Sequence, residues 1–211
     1  MAIARRSTGT PTGAVSSNNE NVIVRLVAAV PEPFRKYAKV SIPIIMKECK
    51  KYGVLDKGQI AYILATVHKE SNFGRWMKEV KWSKNDGLDE KTYFMNKYGS
   101  RKDLGNIRPE DGYDYRGRGF CQITGRYNYE RWSKKLGIDL LNSPDKAADT
   151  EIAAKILVEG MRDGGFTKHK LSDHIQGTKK DFINARRIIN RLDAADEIAG
   201  FANTYYSILV S

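Results

Sequence analysis

Asp56-Lys57-Gly58-Gln59-Ile60-Ala61-Tyr62-Ile63-Leu64-Ala65-Thr66-Val67-His68-Lys69-Glu70 is the stretch on which the fold turns. Asp56 with Gln59 three residues on has the form of a capping box, Asp56 being the N-cap. Ile60, Ile63, Leu64 and Val67 then recur at i, i+3, i+4 and i+7, which is one apolar face of a helix. The same period governs the rest of the chain. Pro31 and Pro33 suit a first helical turn, and Ile44, Ile45 and Cys49 line a helix ending at Tyr52, with Gly53 just past it. Tyr129, Trp132, Lys135 and Leu136 predict another, stopped by Gly137. Ser143-Pro144 predicts the start of a helix with Ala148, Ile152, Ile156 and Leu157 inward, and further helices are predicted over 178–192 and 194–209. Nothing of length alternates with period two. The chain reads as all-α, α-rich α+β at most, with a small hairpin expected near 113–124.

The 211 residues suit one domain, and 41% hydrophobic with 29% charged residues excludes a wholly disordered chain. The longest apolar run, 22–30, is broken by Arg25 and is about half of what a bilayer crossing needs. Lys+Arg 36 against Asp+Glu 25 gives a net charge of +11, a field that attracts nucleic acid, anionic headgroups or a bacterial wall. Two cysteines 72 positions apart exclude a disulfide scaffold, and with three histidines they show no metal-ligand spacing, so no metal is expected. Arg5-Arg6 hints at a twin-arginine signal, but 7–21 is polar and turn-forming and Arg25 interrupts the apolar region, so no clear signal peptide is read. Residues 1–21 are expected to be a flexible arm and 22–211 the folded domain.

The segment 71–115 is too long and too charged for a simple connection and predicts a second lobe of short helices, with a turn at Asn85-Asp86-Gly87. After it, residues 113–129 hold three glycines, three arginines and four tyrosines. Aromatic faces with Gln122, Thr124 and Asn128 suit a sugar; a glycine-rich turn with packed tyrosines is the plain alternative. Glu70 closes a helix, and a helix C-terminus favours the neutral form of a carboxyl placed there. Glu79 follows nine residues later on a polar segment. Two carboxyls in unlike surroundings are what glycoside hydrolysis requires, although two such glutamates also occur as solvated surface charges.

Several blocks in order resemble the family 19 glycoside hydrolases, which include plant-type chitinases and many phage endolysins. They are Ala65-Thr66-Val67-His68-Lys69-Glu70-Ser71-Asn72-Phe73; Arg101-Lys102-Asp103-Leu104-Gly105-Asn106; Tyr113-x-Tyr115-x-Gly117-Arg118-Gly119; Gln122-Ile123-Thr124-Gly125-Arg126-x-Asn128-Tyr129; and Ala185-Arg186-Arg187-Ile188-Ile189-Asn190. The resemblance implies a lysozyme-like, two-lobed fold with the substrate groove between the lobes, and inverting hydrolysis of a β-1,4 bond beside an N-acetylated sugar. It matches Glu70 to the general acid, Glu79 to the general base and Thr124 to the residue holding the attacking water. Gln122, Tyr127, Asn128 and Asn190 match groove residues, and His68, Tyr115 and Arg118 are taken with them as substrate-binding. No cofactor is implied. The chain departs from the family at Lys69, where many members have His, and at Arg191-Leu192, where many have Gly-Gly. The expected protein is a monomeric, endolysin-like peptidoglycan hydrolase with antimicrobial action, made in the cytoplasm and acting on the cell wall. A chitinase, a silent wall-binding protein of the same fold and a nucleic-acid binder are the competing readings.

Overall fold

The computed structural model describes residues 13–82 and 87–211, with side chains from residue 20 onward. Its helices are α1 (Gly13–Ala28), α2 (Arg35–Lys51), α3 (Lys57–Ser71), α4 (Glu90–Tyr98), α5 (Asp111–Asp114), α6 (Arg126–Leu136), α7 (Thr150–Asp163), α8 (Leu171–His174) and α9 (Ala195–Val210). One two-residue pair of strands, β1 (Ile175–Gln176) and β2 (Lys179–Lys180), interrupts them, in antiparallel register Ile175↔Lys180. No described helix is long and apolar enough to cross a membrane.

Asp56 caps α3 as expected, its carboxylate accepting from the N–H groups of Gly58 and Gln59. The reciprocal half of the box is absent: the Gln59 amide donates instead to the Ile175 carbonyl at 2.8 Å and ties α3 to the hairpin. The helix is more than amphipathic. Every residue from Ala61 to His68 is buried, because α9 lies along one side while α2 and α7 close others. Leu26, Ile42, Ile45, Leu64, Leu157, Ile198 and Tyr205 belong to the resulting large core. A smaller cluster around Tyr115, Tyr129, Trp132 and Leu140 supports α6. Between these two masses runs the groove.

Four expectations change. Helix α1 starts at Gly13, so 13–21 of the expected arm is helical, while 1–12 lies outside the described residues, as does most of the turn expected at 85–87. Its apolar continuation, Leu26, Val27 and Val30, is buried in the large core and anchors the segment. Ser143-Pro144 opens only the short 3-10 turn Pro144–Ala148; α7 begins after an extended Asp149. Residues 178–192 are not a helix. Gly177 turns the chain at a positive φ of 58°, β2 follows, and Asp181 then accepts from the Asn184 N–H, leaving room for only the 3-10 turn Asn184–Ile188. The hairpin therefore stands at 175–180, and 113–124 keeps one bridge, Arg118 to Ile123.

Candidate active site

Glu70 sits in the last turn of α3. The chain then reverses through Asn72 and Phe73, both left-handed at φ 45° and 58°. For Phe this is a sparsely populated conformation, and it is held by burying the ring in the core. The Glu70 side chain keeps 21% of its surface, and its Oε1 accepts from the buried Arg186 guanidinium. Arg186 is braced in turn by the Asp193 carbonyl at 2.8 Å.

Glu79 is placed by a small ladder. Its N–H donates to Gly117 O at 2.8 Å and the Gly119 N–H to Met77 O at 2.8 Å, so 77–79 lies antiparallel beside 117–119. Oε1 accepts from Lys97 Nζ and from Tyr98 Oη, each at 2.9 Å, and Oε2 from the Gly117 N–H at 3.2 Å. Burial opposes the charge of Lys97, but the hydrogen bonds to Glu79 and Tyr98 outweigh it and hold the ammonium above its ordinary range. Gly117 is required here: a Cβ would come within 2.8 Å of Gln122 Oε1 and 3.1 Å of Glu79 Oε2. At Gly125, φ is 88° and a Cβ would meet Leu104 at 2.5 Å, so side chains at either position would wedge the groove wall apart.

The two carboxylates open on one groove. A cavity of about 480 Å³ is lined by Glu70, Gln122, Thr124, Asn128, Phe166 and Asn190. An adjoining cavity of about 450 Å³ shares Glu70 and Gln122 and adds Glu79, Trp76 and Trp82. Gln122 donates to Trp76 O and Gly119 O, leaving its amide oxygen beside Gly117. Thr124 Oγ1 donates to Gln122 O at 3.0 Å and retains its lone pairs. Asn128 donates to Thr124 O, so its Oδ1 is left to a ligand.

Four expected substrate contacts stand elsewhere. His68 is 6% exposed, stacked on Phe201 with ring centres 3.9 Å apart, and its Nδ1 pairs with Tyr205 Oη at 2.8 Å. Two residues before Glu70, it points to the other side of the helix. Arg118 is buried and spends its guanidinium on Asp145, Asp114 O and Tyr129 Oη, because alternate residues of the extended 117–119 strip face opposite ways. Tyr115 is buried against Tyr129 and donates to Leu141 O. Tyr127 is 60% exposed on α6 but borders a separate depression with Glu130 and Arg131. Sequence reasoning missed Trp76, Trp82, Lys97 and Tyr98, and gave Arg186 no role. The signal for Trp82 was its type: a tryptophan in a charged segment, here 83% exposed at the groove.

His68 also sets a pH dependence. Burial chiefly, with Glu197 opposing and Lys69 assisting, holds its imidazole down to about 4. Protonation therefore favours the unfolded chain. The stability that neutral His68 supports is complete above the unfolded value near 6.5 and is lost as pH falls towards 4. Between pH 6.5 and 5 the loss should be about 2 kcal/mol. Urea unfolding at both pH values, compared with His68→Gln, checks this; an equal loss in the variant would refute it.

A family model described as Chitinase class I (Glyco_hydro_19) matches residues 55–159, from the start of α3 to within α7. The glycosyl hydrolase family 19 domain-containing protein of Haemophilus influenzae is 31% identical over 133 residues, covering 54% of this chain and 66% of that protein. The chain belongs to the family 19 glycoside hydrolases. Endochitinase 1 of Theobroma cacao is 33% identical over 104 residues, 47% of this chain and 31% of that protein, so the chain spans just under two thirds of the first relative and about a third of the second. Chitinase C from Streptomyces griseus HUT6037 shares the fold, with a TM-score of 0.59 at 20% identity over 97% of this chain and 80% of that one. The matched stretch 55–159 holds Glu70, Glu79, Thr124 and Asn128; Arg186 and Asn190 lie beyond it.

Proposed function

We propose that this family 19 member is an inverting glycosidase acting on β-1,4-linked N-acetylated sugars, with bacterial peptidoglycan as its polymer. The observation that carries the reading is the sharing of one groove by Glu70 and Glu79, each held by different partners. Oε1 of Glu70 is taken by Arg186, which leaves Oε2 to protonate the departing glycosidic oxygen. Glu79, fixed by three donors, accepts a proton from a water that attacks the opposite face of the sugar. The Thr124 hydroxyl borders the same space and can accept from that water. Trp76 and Trp82 offer flat faces to pyranose rings.

Peptidoglycan is favoured by the +11 charge, which draws the enzyme to an anionic wall and should make its action salt-sensitive. Chitin is favoured by the similarity to an endochitinase. On our reading the protein acts as a monomer, is made in the cytoplasm and meets its polymer at the wall. Purified peptidoglycan and chitin oligomers, incubated separately, decide between them when new reducing ends are identified by mass spectrometry. Release from peptidoglycan is expected; release from chitin alone would overturn the polymer assignment, and release from neither the activity.

Thr124→Ala removes one hydrogen bond to water and no proton donor. It should lower turnover by about tenfold, less than either carboxylate substitution measured on the same substrate at the same salt. A loss equal to that of Glu70→Gln would show that Thr124 does more than hold a water.

A further inference from the structure

The outer face of α2 carries charge that no carboxylate among the described residues meets. Lys36, Lys39, Lys47 and Lys50 are exposed, and at 100° per residue they fall within an arc of about 80° along a ridge about 21 Å long. The opposite face buries Ala38, Ile42, Ile45 and Cys49. Among the described residues none of these four lysines meets a carboxylate, whereas Lys69, Lys78, Lys97 and Lys135 are each paired. The only acid on α2, Glu48, is buried, and Glu32 borders the N-terminal end of the ridge. The ridge also starts where the groove stops. Phe34, just before α2, meets Trp76 edge-on at 6.0 Å, and Arg75 lies over both rings at 5.5 and 5.3 Å.

We propose that this ridge is a docking surface for the phosphodiester polymers of a bacterial wall, distinct from the hydrolytic groove and continuous with its Trp76 end. The proposal rests on the reading of a wall polymer as substrate. A linear chain of regularly spaced phosphates matches a straight row of cations. A membrane is a poorer fit, because an interfacial helix inserts an apolar face and that of α2 is spent in the core. Single-stranded nucleic acid is also a poorer fit, because the one aromatic beside the four lysines, Tyr37, is half-buried with the Lys36 ammonium over its ring, which leaves no open row of faces on which bases could stack.

The test measures binding of the full chain to poly(glycerol phosphate). If four cations neutralise four phosphates, affinity should fall about fiftyfold between 50 and 200 mM salt, as it does for single-stranded polyphosphates. The combined variant Lys36→Gln, Lys39→Gln, Lys47→Gln, Lys50→Gln should bind at least tenfold more weakly at 50 mM salt, with a flattened salt slope. The control Lys91→Gln, Lys102→Gln, Lys146→Gln, Lys168→Gln removes equal charge from other faces and should bind within threefold of the parent. If the first variant does not fold, the pairs 36/39 and 47/50 made separately should each lose about half of the salt slope. Equal losses in both sets of four would show diffuse charge and overturn the site. Tighter binding to phosphatidylglycerol vesicles or to oligo(dT) of equal charge would overturn the choice of partner. Turnover on a soluble oligosaccharide should be unchanged in both sets, so failure of the hydrolytic reading shows there and failure of the docking face in the binding alone.

Discussion

Glu70→Gln should cut turnover on a soluble N-acetylated oligosaccharide by about two to four orders of magnitude, with the folded state unchanged. The amide keeps the shape of the side chain and an oxygen for Arg186 to donate to. What it loses is the proton for the leaving group, and no other described acid shares both halves of the groove. Because substrate contacts are otherwise intact, the loss should fall on kcat rather than KM. Near-normal turnover in a variant with an unchanged unfolding midpoint would remove Glu70 from the mechanism.

Glu79→Gln should lower turnover by about a hundredfold or more, and it should disturb more of the groove than Glu70→Gln, because three donors meet Glu79 and one meets Glu70. Lys97 and Tyr98 both donate to Glu79 Oε1, and Gly117 to Oε2. A neutral amide leaves the Lys97 ammonium without its countercharge and turns one amide N–H towards a donor. Lys97→Met separates the two effects. It keeps the carboxylate and removes the cation, so turnover at the optimum should fall less than in Glu79→Gln. If Lys97→Met were as damaging as Glu79→Gln, Lys97 would be needed for structure and not merely as the countercharge of Glu79.

Helical content was legible because helix signals are local. Asp56, Gly53 and Gly137 mark ends wherever the chain goes, and α3, α6 and α9 lie where periodicity put them. Signals failed where a distant contact decided the outcome. Gln59 has a box partner in sequence but a better acceptor at Ile175, and 178–192 has helical spacing but folds around the Gly177 turn. The site was legible in type, through two glutamates and a glycine-rich segment, and the groove does bring Glu70, Glu79, Gln122, Thr124, Asn128 and Asn190 together. Direction was not legible. His68, Tyr115 and Arg118 lie within or next to the right motifs, yet one step along an extended strip or two along a helix turns a side chain from groove to core. The role of Arg186, a residue of one of the quoted blocks, was not legible for the opposite reason: its contact with Glu70 spans 116 residues.

The central claim, that Glu70 and Glu79 act on opposite faces of one sugar, is tested most directly by the configuration of the newly formed product. Proton NMR of a soluble β-1,4-linked N-acetylglucosamine oligomer during the first minutes of hydrolysis, before mutarotation, should show the α-anomer at the new reducing end. The β-anomer appearing first would mean retention, and the assignment of Glu79 as a base acting through water would be wrong.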